Sequence, residues 1–290
     1  MRATRLPFLL CCLLATNLAA DDAAAEGVQF VFERASDAEL NNPHDIKLSP
    51  DGHYLYVADV GGNRVVVLDA MSLETVDSFG GGELSGTHDI DFDRFGNAYV
   101  ADTHNGRIVV YRMHATHGQM VGEIRGRLAG PEGVLAHPNG MIYASGAWSN
   151  NVLAYQDGRV VHELGGLSGP HDVELAADGN IWLADAGNDR ILLLSQQLDV
   201  MRELGGPAYA FDGVRYLDPL PDGGLLAADK HTHSVKLIAP DGTLLATLGD
   251  GRPGLGEHRF RTPEGVDSFG DWVWIADSGN HRIVRYRIVR

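Results

Sequence analysis

Short apolar runs separated by Gly, Asn and Asp fill the chain from position 28 onward, and one pair of runs keeps returning. It consists of a strand-like segment ending in Asp, a tight turn, and a second segment that opens with Arg. The clearest copies read YVADVGGNRVVVL from Tyr56, YVADTHNGRIVVY from Tyr99, WLADAGNDRILLL from Trp182 and WIADSGNHRIVRY from Trp274. Two degraded copies read YASGAWSNNVLAY from Tyr143 and LAADKHTHSVKLI from Leu226. The turn Asp falls at Asp59, Asp102, Asp185, Asp229 and Asp277, with Gly146 in its place in the third copy, so the steps are 43, 44, 39, 44 and 48 residues. A period in the low forties with several short strands per unit predicts the blades of a β-propeller and excludes a helical solenoid.

Each repeat parses into four strands bounded by turn residues; in the second they are Thr87 to Phe92, Ala98 to Asp102, Arg107 to Arg112 and Met120 to Ile124. Alternation of apolar positions within the runs fits sheets packed face to face, and no segment carries a helical period. One further strand, VQFVFER, fits between Val28 and Asn42, while the sixth repeat ends with its third strand at Ile288 to Arg290. The N-terminal strand should therefore complete the last blade and leave no unpaired edge. The expectation is an all-β chain: a single six-bladed propeller of four-stranded blades over residues 28–290. The turn Asp and the Asn or Gly after it read as tight-turn chemistry, with Arg64, Arg107, Arg190 and Arg282 bridging toward a neighbouring turn Asp.

The repeated Y-V-A-D-x-x-x-N-x-R-I/V, preceded by P-H-D-I, P-E-G-V or P-H-D-V and a D-G or N-G turn, resembles the NHL-repeat family of propellers over nearly all of residues 28–290. That resemblance implies the fold and leaves the activity open, because the family includes enzymes, sensors and interaction scaffolds.

The start of the chain reads differently. Arg2 and Arg5 precede an apolar run from Leu6 to Leu14 and small residues ending at Ala19 and Ala20, the pattern of a secretory signal peptide over 1–20, with a flexible mature N-terminus over 21–27. Periplasmic or secreted location follows, without an integral membrane segment once the signal is removed. Both cysteines, Cys11 and Cys12, belong to that segment, so the mature chain can form neither a disulfide nor a thiolate site. The net charge of −16 becomes about −18 without Arg2 and Arg5, which argues against nucleic acid as a partner.

Aligning backward from the turn Asp exposes one position at the start of each first strand: His44, His88, Glu132, His171, Arg215 and Glu264, with Asp212 as the alternative to Arg215 under a three-residue shift. Innermost strands line the propeller axis, so these six form a ring. A packed strand position is expected to carry apolar or small residues in most copies, and an all-polar ring points instead to a ligand site or a water-filled channel. Because neighbouring strands are antiparallel, the turns after the second strands lie on the same face and place His104, Trp148, His231 and His281 as a ligand rim.

Three histidines with an acidic neighbour can hold a divalent metal, zinc first among those suited to imidazole, with Glu132 or Glu264 as general base and Arg215 on an anionic group. The opposite reading is a hydrated channel in which His, Glu and Arg satisfy one another, Arg215 pairing with Glu132 or Glu264. The P-H-D-I and P-H-D-V pieces also resemble the peptidyl-hydroxyglycine amidating lyases, six-bladed propellers that hold zinc with three axial histidines. This resemblance implies a metal on His44, His88 and His171. Here the three come from the first, second and fourth blades rather than alternate ones, and the catalytic Tyr of that family has no counterpart after Asp59, Asp102 or Asp185. Two functions follow as expectations: a metal-dependent lyase or hydrolase acting on a small or peptide-like substrate, or a scaffold that binds a peptide, glycan or protein on the same face.

Overall fold

The computed structural model describes residues 27–290; the expected signal peptide and all but the last residue of the segment 21–27 lie outside the described residues. Six four-stranded antiparallel sheets follow one another along the chain. The second repeat forms Thr87–Phe92, Asn97–Asp102, Arg107–His114 and His117–Ile124, close to the expected bounds. The last sheet contains Val266–Phe269, Trp272–Asp277 and Arg282–Val289, and its fourth strand is the N-terminal Gln29–Ala35. Gln29 pairs with Val289 and Ala35 with Val284, so the ring closes as the pattern requires. The third strand of that blade begins at Arg282, directly after the turn, and the expected segment from Ile288 is only its tail. Among the described residues no helix is long and apolar enough to cross a membrane.

Alternation along each strand puts side chains on both faces of a blade, and each face packs against a neighbouring blade. Val57, Val66 and Leu68 of blade 1 meet Trp274, Ala276 and Ile283 of blade 6 on one side. On the other, Val65 and Val67 meet Val100, Val109 and Tyr111 of blade 2. Each fully buried Val or Leu contributes about 1.5–3 kcal/mol, so the paired faces carry the fold without covalent cross-links.

The turn Asp explains the strictness of the repeat. In blade 4 the fully buried Asp185 accepts from the backbone N–H of Ser168 at 2.8 Å, from Asn188 Nδ2 at 2.8 Å and from Arg190 Nε at 2.7 Å. Asp102 and Asp277 repeat the pattern with Ser85, Asn105 and Arg107 and with Arg261, Asn280 and Arg282. The Arg therefore pairs with the Asp five residues before it in its own blade, not with a neighbouring turn. Lys236 replaces the Arg on Asp229 in blade 5. In the degraded third blade Ser149 takes over: its hydroxyl donates to Asn151 Oδ1 at 2.6 Å and accepts from the Ala129 N–H at 3.1 Å. A Cβ at residue 146 would lie 2.2 Å from that hydroxyl oxygen, which is why Gly stands there.

Candidate functional site

The axial ring is set by backbone geometry two residues upstream. Asn42, Gly86, Gly130, Gly169, Gly213 and Thr262 all adopt a left-handed φ, between 46° and 74°. Four of the six are Gly, the residue that takes this conformation without steric penalty. The bend swings the first strand in toward the axis and delivers His44, His88, Glu132, His171, Arg215 and Glu264 to one level. It also fixes the fifth blade: Gly213 occupies the bend, so Arg215 is the axial residue. Asp212 lies at the loop position whose N–H bonds the turn Asp, 3.0 Å from Asp229 Oδ1.

The ring divides into two polar groups. In one, Glu132 Oε2 lies 2.5 Å from His171 Nε2 and its other oxygen 4.0 Å from His88 Nε2. Arg215 lays its guanidinium on the His171 ring, with 2.9 Å from Nη1 to Nδ1. In the other, Glu264 is 2.6 Å from Lys230 Nζ and 3.2 Å from His44 Nδ1. The His44 and His88 rings meet edge to face with centroids 4.5 Å apart. Thr103 Oγ1 at 2.8 Å and the Gly86 carbonyl at 3.0 Å hold His88 Nδ1.

Burial decides the charge states. It takes the His44 imidazolium down to about 3, with the charge of Glu264 only partly opposing, so this ring is neutral at pH 7. It lowers His88 as well, against the pull of Glu132. For the carboxyls burial works upward but loses: His171 brings Glu132 down to about 2, and His44 with the Lys230 ammonium does the same for Glu264. Arg215 has no carboxylate within ion-pairing distance among the described residues, in contrast to the expected pairing with Glu132 or Glu264.

Three residues that complete the site escaped the sequence reading. Lys230 and Thr103 both sit directly after the turn Asp, a position otherwise held by Val60, Ala147, Ala186 and Ser278; a Lys in such a series was a visible signal. The third is Tyr216, fully buried, whose hydroxyl crosses from blade 5 to the carbonyls of Glu132 at 2.9 Å and His88 at 3.1 Å. It lies across the axis beneath the ring. Below it, the Asp residues that follow two of the axial histidines fasten blades together: Asp89 accepts from Val134 N–H at 2.5 Å and Asp172 from Leu217 N–H at 2.7 Å. Burial raises Asp89 to about 6 and raises Asp172 as well, and Lys47 bridges Glu174 and Asp91 lower down.

The rim residues separate into two kinds. His104 lies over Gly86, Trp148 over Gly130 and His231 over Gly213, each ring resting where a Cβ would come within 2.8 Å. His281 is instead the left-handed residue closing the last turn, and its Nδ1 accepts from the Asn42 N–H at 2.9 Å across the seam between blades 6 and 1. A groove of about 520 Å³ lined by Arg34, Arg64, Ser72 and Thr75 lies on the outer edge and contains none of the candidate residues.

The metal implied by the resemblance requires His44, His88 and His171 to converge. As placed they do not fit: Arg215 lies against both ring nitrogens of His171, and both His44 nitrogens are engaged, Nδ1 facing Glu264 and Nε2 3.0 Å from Asn42 Nδ2. Among the described residues no three His, Asp or Glu side chains form a group able to hold a metal ion.

No protein-family model matches the chain, and no curated protein matches it. Solved structures do. A streptogramin B lyase superposes with a TM-score of 0.65 at 14% identity, over 90% of this chain and 97% of that one. A catalytically inactive His-to-Ala variant of virginiamycin B lyase from Staphylococcus aureus, with quinupristin, gives 0.63 at 16%, over 89% and 84%. An auxiliary nutrient binding protein from Bacteroides ovatus gives 0.71 at 15%, over 91% and 77%. At these identities the likeness shows the propeller fold alone.

Proposed function

We propose that this chain is an exported ligand-binding propeller whose axial ring receives a small molecule or peptide-like ligand bearing a carboxylate. One observation carries the reading. Arg215 Nε is buried on the ring and has no hydrogen-bond partner among the described residues, and Thr87 Oγ1, beside His88, is likewise unpartnered, while His44 Nδ1 and Glu264 Oε2 face each other at 3.2 Å without hydrogen-bond geometry. Native interiors leave few such atoms unsatisfied, and their concentration at one level marks a place built for an outside partner. Among them the Arg215 guanidinium is a planar donor without a carboxylate of its own, the group suited to bidentate recognition of a ligand carboxylate.

Arg215→Gln is expected to weaken binding of a carboxylate ligand at least about tenfold while leaving an uncharged amide analogue unaffected. A thermal-shift screen of paired acids and amides, followed by titration calorimetry on the hits, measures this. Equal binding of both members of every pair would overturn the assignment.

A second reading, lyase or hydrolase chemistry, is supported by His88. Its Nδ1 is anchored, burial keeps the ring neutral, and Nε2 faces the axis out of hydrogen-bond reach of Glu132, the arrangement of an oriented general base. Glu132 and Glu264, both near 2, are too weakly basic for that part. On this reading His88→Gln abolishes turnover of a ligand that still binds; in a pure binding protein there is no turnover to lose.

A further inference from the structure

The rings over the glycine shelves give the ligand a second contact, and its chemistry narrows the class. Trp148 is 59% exposed, while Trp182 and Trp274 are buried. Its indole and the His104 imidazole are nearly parallel, 21° between planes with centroids 6.0 Å apart. Each rests on a glycine with positive φ, Gly130 at 58° and Gly86 at 67°. Any Cβ there would strike the ring above, at 2.4 Å for Trp148 and 2.8 Å for His104. The backbone is thus cut away beneath both rings, and the exposed indole, with the imidazole stacked on it, is an aromatic platform at the edge of the axial site. Gly130 is two residues from Glu132, so the platform adjoins the axial ring.

The ring itself is balanced in charge, with Glu132 and Glu264 set against Arg215 and Lys230. Its polar atoms mix acceptors, the Glu132 and Glu264 carboxylates, with a donor that has no partner of its own among the described residues, Arg215 Nε. Hydroxyl groups, each both donor and acceptor, match such a mixture better than an apolar ligand does. An adjoining sugar unit would lie over the platform, since the face of a pyranose packs its C–H groups on an aromatic plane. Resting on the carboxylate-binding reading above, we infer that the ligand is an acidic oligosaccharide of at least two units: a uronate at the axis on Arg215 and a neighbouring sugar on Trp148.

The experiment is calorimetric titration of the full mature chain with trigalacturonate and with the neutral maltotriose, repeated on Trp148→Ala and Arg215→Gln. The expected result is saturable binding of trigalacturonate, at least tenfold weaker in either variant, a quench of Trp148 emission on binding, and weaker or absent binding of maltotriose. Circular dichroism melts of both variants separate lost binding from lost folding, and Arg215→Lys with an unchanged melt repeats the ring test if Arg215→Gln fails to fold. Absence of trigalacturonate binding, equal binding of maltotriose, or full affinity in Trp148→Ala overturns the inference. If trigalacturonate fails while another carboxylate binds through Arg215, the ligand class falls and the carboxylate site stands.

Discussion

Replacing Asp185 by Gly removes the anion at the centre of the fourth blade's turn. The structure sets the size of the effect: three hydrogen bonds go, from the Ser168 N–H, Asn188 Nδ2 and Arg190 Nε, all between 2.7 and 2.8 Å. Removing one partner of a buried pair costs about 3–5 kcal/mol. Arg190 is partly exposed and keeps Glu203 at 3.0 Å, which places the expected loss at the lower end, about 3 kcal/mol. For a domain of this size that corresponds to a fall in Tm of about 6–12 °C. The third blade supplies a second half to the test, because Gly146, Ser149 and Asn151 already do the same work there without charge. The triple variant Asp185→Gly, Asn188→Ser, Arg190→Asn transplants that set, so it should recover most of the loss. Thermal and urea unfolding of the single and triple variants measure both. A single variant within 1 kcal/mol of the parent, or a triple variant no more stable than the single, refutes the account of the turn.

The lower axis should make stability fall as pH rises. Burial raises Asp172 in the folded chain, so the native state keeps a proton that the unfolded chain has lost above about pH 4, and stability is present below that point and declines as pH climbs toward the folded value. Asp172→Asn retains an acceptor for the Leu217 N–H and has no proton to lose; urea unfolding between pH 4 and 7 should show a shallower decline, by up to about 1.4 kcal/mol per pH unit, and an unchanged slope would refute the assignment. Gly130→Ala forces a left-handed Ala and pushes a Cβ into the indole. Destabilisation of about 1–2 kcal/mol is expected, together with a changed tryptophan emission maximum; an unaltered spectrum would mean the indole does not rest on this shelf.

The repeat made the blades, the closing strand and the axial series legible because each follows from a rule that acts on every copy. Period gave the blade number, and the unmatched strand at Val28 gave the closure. The axial position showed through because register alone determines it. What stayed hidden depends on contacts between copies. Nothing in the segment around Arg215 says that its guanidinium will lie on His171 rather than on a carboxylate, since that is set by how blades 4 and 5 lean together. Lys230 was hidden for the same reason: it belongs to the turn of blade 5 yet pairs with Glu264 of blade 6. Tyr216 stands where other blades have Asp or Gly, an exception the alignment contained, but its reach across the axis is a property of the closed ring.

The turns and the ring are not independent layers of the design. The left-handed residue that ends each turn faces the bend of the next blade: Asn63 Oδ1 accepts from Gly86 N–H at 2.7 Å, Asn150 Oδ1 from Gly169 at 2.8 Å and Asp189 Oδ1 from Gly213 at 2.8 Å. His233 and His281 do the same with Nδ1 for Thr262 and Asn42. At the remaining junction the closing residue is Gly106, which has no side chain to offer. Each of these bends lies two residues before an axial side chain, so the turn of one blade fixes the backbone that aims the ring residue of the next. The ring position is thereby held by the neighbour's turn rather than by its own side chain. That relieves the side chain there of holding the backbone, and His, Glu and Arg can stand in one series within a single architecture.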